Sequence, residues 1–412
     1  MKKKSYKGTA LDLMQTMYMN EHIPIVYFYM ELNGRIDVNQ LKKAVKHAAE
    51  IVPQILCRYD DAKNIWYPSQ YDADSIVEIL SGTGCRSDIL WDLRLGPQLK
   101  IKICRQGDSD HLQICMSHIL TDGAGFLQFL ALLCNFYNGH NPDTAYEINH
   151  RSVMPLLYRT AIKRRKQSRN PLHKGNVSAL LQAGTDRQSP HSLKVALSPK
   201  QLEIICEKAK SLQVTLNDIF MASYAHALKT LTSQSDFVIP CPADLRKYDR
   251  QKNKLTVSNM TGKYQCHLSL VHESKWEETA LAVHREMERQ KSCRGCLKMI
   301  FPLQILHTML PVKLLRLISK NRYKVEPVSY TNIGVIDEHK IFFQNISVKE
   351  CHISGAYRQA PSFQVSVSTY KNTCTLSANM LASPNQKNAG ILLLEEMKTF
   401  LLCVAGPEKA DM

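Results

Sequence analysis

The chain has 412 residues, 44% of them hydrophobic and 22% charged, with a formal net charge of +16. That length suits about two to three domains, and the composition is ordinary for a soluble globular protein, so disorder is not the default. No stretch reaches the ~20 apolar residues that a spanning helix needs. The nearest, 391–404, is broken by Glu395, Glu396 and Lys398, so no stable membrane insertion is expected.

Met1-Lys2-Lys3-Lys4 has the charge of a signal-peptide start, yet no apolar segment follows it, and a cytoplasmic location is expected. Residues 11–19 read as an apolar helix and 24–32 as a strand, with Val26, Phe28 and Met30 alternating. Asn33-Gly34 turns the chain. Asp37, with Gln40 three residues on, caps a helix striped by Leu41, Ala44, Val45 and Ala48 and ended by Pro53. Leu99, Ile101 and Ile103 alternate with Lys100 and Lys102, Gly107-Asp108-Ser109-Asp110 turns, and Leu112, Ile114 and Met116 alternate again. His118 therefore stands where the second strand of a hairpin ends. Asp122-Gly123 precedes an apolar helix, 126–137, which Asn138-Gly139 terminates.

The stretch 148–185 has no Asp or Glu and eight cations: Arg151, Arg159, Lys163, Arg164, Arg165, Lys166, Arg169 and Lys174. It is either a solvated linker or a site that attracts an anion, such as CoA phosphates, an acidic carrier protein or an anionic membrane surface. Nucleic acid is not expected, because aromatics do not interleave with these cations. The expected division is an N-terminal subdomain 1–165, a basic linker 166–190 and a C-terminal subdomain 191–412.

Ser198-Pro199-Lys200-Gln201 opens a helix with a cap and an N1 proline, and Thr215 with Asp218 opens another. A strand follows at 237–243, and Lys371-Asn372 joins a hairpin spanning 364–380. The run 301–320 is apolar and basic. Pro302 and Pro311 break it into what reads as a pair of core helices, the other reading being an interfacial amphipathic helix. Thirteen cysteines, an odd number without framework spacing, point to reduced thiols, with Cys104, Cys134 and Cys206 at apolar positions. Cys293-Arg294-Gly295-Cys296 is a lone CxxC with no second pair to complete a zinc ribbon, and no metal site is expected.

The chemistry concentrates at His118-Ile119-Leu120-Thr121-Asp122-Gly123. By itself an HxxxDG string is common. Here it is preceded by Asp92-Leu93-Arg94-Leu95-Gly96-Pro97-Gln98-Leu99 and followed by Pro240-Cys241-Pro242-Ala243-Asp244-Leu245-Arg246 and Ser329-Tyr330-Thr331-Asn332-Ile333-Gly334. In that order the set resembles the superfamily of CoA-dependent acyltransferases and condensation domains. It is most similar to the free-standing alcohol O-acetyltransferase and polyketide-associated branch. The resemblance spans 9–402.

The resemblance implies an α/β fold in which two chloramphenicol-acetyltransferase-like subdomains form a pseudo-dimer in one monomer, with an active-site tunnel between them. It implies that an acyl group passes from acyl-CoA, or from the phosphopantetheine thioester of a carrier protein, to an alcohol or amine. No bound cofactor is expected. Histidine suits the role of general base because its ordinary pKa lies near neutral, which points to His118, and no Gly-x-Ser-x-Gly elbow offers a serine nucleophile. Asp122 would orient the imidazole or hold the loop through an arginine; the resemblance implies the second, with Arg58 as partner and Arg246 as competitor. Gly123 is either an oxyanion-binding amide or a turn glycine. Thr331, Asn332 and Gly334 are expected on the tunnel wall. Ser117 stands where amide-forming condensation domains usually have a second histidine, which favours O-acylation, and the absence of the plant signature DFGWG argues against the plant acyltransferase branch. A non-catalytic binding member of the same fold is the rival reading.

Overall fold

The computed structural model describes residues 4–17, 19, 23–81, 91–141, 146–156, 187–249, 254–270, 275–322 and 327–406. It is mixed α/β, with two large sheets among the described residues. The hairpin read from alternation is present: Leu99–Gln106 pairs antiparallel with Ser109–Ser117, which pairs in turn with Ile25–Asn33. Val77–Ser81 completes one edge, parallel to Leu99–Gln106. The helices Val38–Ile51 and Gly123–Tyr137 bury their apolar faces on this sheet, and Asp37 caps the first by accepting from the amides of Asn39 and Gln40.

The second sheet is built from Val328–Val335, Phe363–Tyr370 and Thr373–Ala382, with Ser189–Leu197 on its far side and Arg358–Gln359 at its end. The helices Pro199–Ser211, Leu216–Thr232 and Pro384–Ala405 share its core, each opened by the Ser or Thr cap the sequence supplies. The ribbon Asp236–Asp244 with Thr261–Ser269 packs on the same core.

Three features depart from the expected division. The strand Ser347–Ser354, far inside the span assigned to the C-terminal subdomain, completes the first sheet by pairing with Ile25–Asn33. It is drawn there because Val348, Cys351 and Ile353 extend the first core and because Ile25–Asn33 would otherwise be an unpaired edge. In the opposite sense, Ala10, Leu11 and Leu13 of the N-terminal helix Ala10–Gln15 belong to the second core. Leu255 and Val257 return to the first. The linker expected at 166–190 falls outside the described residues up to 186, and Ser189–Leu197 is already a strand of the second sheet.

Two local expectations also change. The run 301–320 does form two helices, Ile300–Met309 and Val312–Arg322, but not a core pair: only Ile300, Leu303 and Leu315 are buried, and much of the apolar surface faces outward. Cys104 is disulfide-bonded, whereas the eleven other cysteines among the described residues are free.

Candidate active site

His118 follows directly on the strand Ser109–Ser117, its amide donating to the Pro24 carbonyl at 2.6 Å. The ladder thus carries the chain to the sheet's end and fixes the backbone there before the motif turns into the helix Gly123–Tyr137. The imidazole lies on the wall of a cavity of about 570 Å³ lined by both halves of the molecule. The N-terminal helix contributes Leu11 and Met14, the first sheet Val26, the motif Asp122 and Gly123, and the second sheet Ser329, Thr331, Ile333 and Gln364.

One ring nitrogen is already committed. His118 Nδ1 lies 3.2 Å from Asn259 Oδ1, while Asn259 Nδ2 donates to the carbonyls of His118 and Ile119, both at 2.8 Å. Those two bonds make Nδ2 the donor end of the amide and leave Oδ1 an acceptor. Nδ1 must therefore carry the proton, which leaves Nε2 with its lone pair. Burial lowers the imidazole pKa below 6.5, and the Arg358 guanidinium lowers it further. Its own backbone carbonyl, the Asp122 charge and Asn259 oppose that shift without reversing it. The ring is thus a neutral base near pH 7.

Asp122 does not touch the ring by hydrogen bond. Its side chain is turned into the protein, 4% exposed, where it caps the following helix by accepting from the Gly125 amide at 2.9 Å. It also accepts from the Met260 amide at 2.7 Å, from Thr261 Oγ1 at 2.8 Å and from both terminal nitrogens of Arg246 at 3.0 Å. Burial alone would raise this carboxyl, but the Arg246 charge and these donors hold it below the ordinary carboxylate value. Arg246 is satisfied in turn by Thr256 Oγ1, the Thr256 and Ser258 carbonyls and Asp244.

Arg58, expected as the partner of Asp122, is not it. That residue is exposed on the short strand Cys57–Asp60, with its guanidinium 4.9 Å from the Tyr67 ring centroid. Outward alternation in a four-residue strand sends it to solvent. Arg246 takes the site because the short helical turn Leu245–Tyr248 that carries it follows the strand Asp236–Asp244 and starts against the segment 254–260, the Leu245 amide donating to the Met260 carbonyl. The strand Val328–Val335 corrects a second expectation. Ser329, Thr331 and Ile333 line the cavity, but Asn332 turns away to bond Asn217 and the Gly334 amide. Gly334 sits at a register shift with φ +82°, a turn conformation off the cavity wall.

The two motif glycines differ. A Cβ on Gly123 would meet only the terminal methyl of Ile333, at 2.6 Å, and Gly123 opens a helix, not a turn. A Cβ on Gly125 would meet Thr121 Oγ1 at 2.3 Å, Arg246 Nη2 at 3.0 Å and the Thr256 carbonyl at 3.0 Å. Gly125 is therefore the position where Thr121 above all, with Arg246 and the Thr256 carbonyl, leaves no room for a side chain, and the sequence reading missed it.

Asn259 was missed as well. It lies in an irregular segment with no periodicity, and nothing in the local sequence announces that its amide reaches a histidine 141 positions away. The same segment is gripped by Arg151, which bonds the Val257 and Leu120 carbonyls at 2.7 and 2.9 Å and pairs with buried Asp12 at 2.8 Å. Arg151 thus holds the site together, unlike a cation free to attract a ligand. The other seven cations of that stretch lie outside the described residues. No group of three or more His, Cys, Asp or Glu able to hold a metal occurs among the described residues.

Residues 85–313 match the sequence model of a family described as Condensation domain. A stretch of 262 residues is 22% identical to bacitracin synthase 3 of Bacillus licheniformis, an alignment covering 59% of this chain and 4% of that synthase. The chain therefore matches only a small part of that relative's length. Polyketide synthase associated protein 5 from Mycobacterium tuberculosis superposes with a TM-score of 0.67 at 14% identity, covering 98% of this chain and 100% of the other. Trichothecene 15-O-acetyltransferase TRI3 from Fusarium sporotrichioides gives 0.66 at 13% identity, covering 97% and 95%. The first condensation domain of the CDA synthetase gives 0.66 at 12%, covering 98% and 97%. At these identities the structural likeness concerns the fold: two fused subdomains of one architecture.

Proposed function

This chain belongs to the condensation-domain family, and on that premise we propose that it is an acyltransferase working by direct attack, with His118 as general base. The observation that carries the proposal is the His118–Asn259 contact, which leaves Nε2 as the basic nitrogen of a ring on the cavity wall. Nε2 takes the proton of the acceptor hydroxyl or amine as its oxygen or nitrogen bonds the thioester carbonyl carbon. The carbon–sulfur bond then breaks, and the thiolate leaves with the proton returned from Nε2. The Gly125 amide is taken by the Asp122 carboxylate, so the Gly123 and Ala124 amides of this helix's first turn, which lack intrahelical partners, are the motif donors for the tetrahedral oxyanion. Asp122 and Arg246 act as positioning residues, not as a charge partner of the ring.

Acyl-CoA is the donor in this reading and an alcohol the acceptor, supported by the single histidine of the motif. A carrier-protein thioester is the second reading, supported by the likeness to condensation domains and by the cations of 148–185, which would suit an acidic partner. One chain supplies both walls of the cavity, so neither reading needs a second copy.

The test is mass spectrometry of the purified protein incubated with a series of acyl-CoA thioesters, acyl-carrier-protein thioesters and pooled alcohols and amines. Acylated product with wild type and none with His118→Ala is the expected result. A folded wild-type protein that binds a thioester but never turns it over would place it among non-catalytic binders.

A further inference from the structure

The helices Ile300–Met309 and Val312–Arg322 have an inverted surface. Met299 is 52% exposed, Ile305 51%, Met309 74%, Leu314 43% and Leu317 64%, so five of the eleven exposed large apolar side chains among the described residues crowd into this one hairpin. The placement is regular. Pro302, Ile305 and Met309 follow i, i+3, i+7 spacing along the outer face of the first helix, and Leu314 and Leu317 share the outer face of the second with exposed Lys313.

The inner side is firmly held. Ile300, Leu303 and Leu315 are buried, His307 meets Asn64, and Arg316 is tied to Asp61 at 3.1 Å. The outward stripe is therefore displayed by a rigid element. Charge is just as one-sided: residues 289–325 contain nine Lys or Arg and no Asp or Glu. Arg289 and Lys291 are neutralised by Glu286 and Glu288 and Arg316 by Asp61, Arg294 lies over the Tyr248 ring, and Lys298, just ahead of the first helix, and Lys313, on the second, are exposed.

We propose that this outward face docks the protein on an anionic lipid bilayer. Large apolar side chains standing clear of the surface, flanked by cations and free of acids, match a helix pair lying in the headgroup layer. A folded protein partner would need pockets to receive such side chains, and a stripe of well-exposed apolar side chains fits a deformable interface better. The hairpin also borders the cavity: Lys298 and Met299, just ahead of its first helix, contribute to the lining with Ile300 and Leu303. Docking would set the cavity beside the lipid. This inference stands independently of the acyl donor.

The experiment is flotation of the full chain with vesicles of phosphatidylcholine plus phosphatidylglycerol, against phosphatidylcholine alone. Wild type is expected to float with the anionic vesicles, to be released by high salt, and to stay behind with neutral ones. The variant I305S/M309S/L314S/L317S changes only exposed side chains and should keep the wild-type melting curve while losing flotation. Should that variant fail to fold, Lys313→Glu alone should lower vesicle affinity about fivefold or more. The proposal is overturned if wild type ignores anionic vesicles or if folded variants float as wild type does. It is equally overturned if sedimentation shows a wild-type dimer that the fourfold variant dissolves, or if the face retains an acidic carrier protein and no vesicles.

Discussion

Asp122 and Arg246 are 124 residues apart in the chain and joined through both carboxylate oxygens, each at 3.0 Å from a guanidinium nitrogen. The pair clamps the start of the motif helix to the segment that carries Asn259, so the motif loop and the amide that meets the His118 ring are held by one ion pair.

Breaking it leaves a buried charge without its partner, which costs about 3–5 kcal/mol. Asp122→Asn and Arg246→Met are therefore expected to lower the melting temperature as well as the rate, while Arg58→Ala, at an exposed site, leaves both near wild type. The carboxyl is held below its ordinary 3.8, so the pair's contribution is complete above that pH and is lost as pH falls through the native value. Thermal melts of the three variants across that range check both statements. An Asp122→Asn protein that melts like wild type but turns over slowly would return the aspartate to an orienting role.

His118→Ala is expected to reduce turnover by about 10²–10⁴ with little change in stability, because its ring is only partly buried and faces the cavity. Since burial lowers the imidazole pKa, the neutral base persists below pH 6.5. The acid limb of kcat/KM should therefore lie below 6.5. A limb at or above 6.5 would show that another group, or a charged ring, governs the reaction.

Asn259→Asp tests the tautomer argument. It keeps an acceptor for Nδ1 but adds a negative charge beside the ring and removes the donor to the two carbonyls. The charge favours imidazolium, so the acid limb should move upward, alongside a fall in kcat. A variant that loses stability alone, with the limb unmoved, would reduce Asn259 to a structural residue.

The two glycines of the motif should separate packing from ligand approach. Gly125→Ala forces atoms at 2.3–3.0 Å to give way, backbone among them, and is expected to destabilise by about 1–3 kcal/mol. Gly123→Ala displaces only an Ile333 methyl at the cavity wall and gains helix propensity. It should melt at or near wild type while raising KM. Equal melting losses in both would remove the distinction.

Local patterns were sufficient for much of this protein. Alternation placed the hairpin that ends at His118, capping residues placed the helices after Asp37, Ser198 and Thr215, and the HxxxDG string marked the centre of the site. These succeed because strand alternation, caps and turns are decided by residues within a few positions of one another. Partner choice is different. Arg58 and Arg246 are equally good cations in the sequence, and only packing decides that Arg246 lies under the Asp122 carboxylate while Arg58 stacks on Tyr67. Asn259 gained its role from an irregular segment crossing to the motif, and Ser347–Ser354 crossed the expected boundary to close a sheet begun more than 300 residues earlier. The outward stripe of Ile305, Met309, Leu314 and Leu317 reads in sequence as a core face, because amphipathic spacing records which residues share a side but not which side meets the protein.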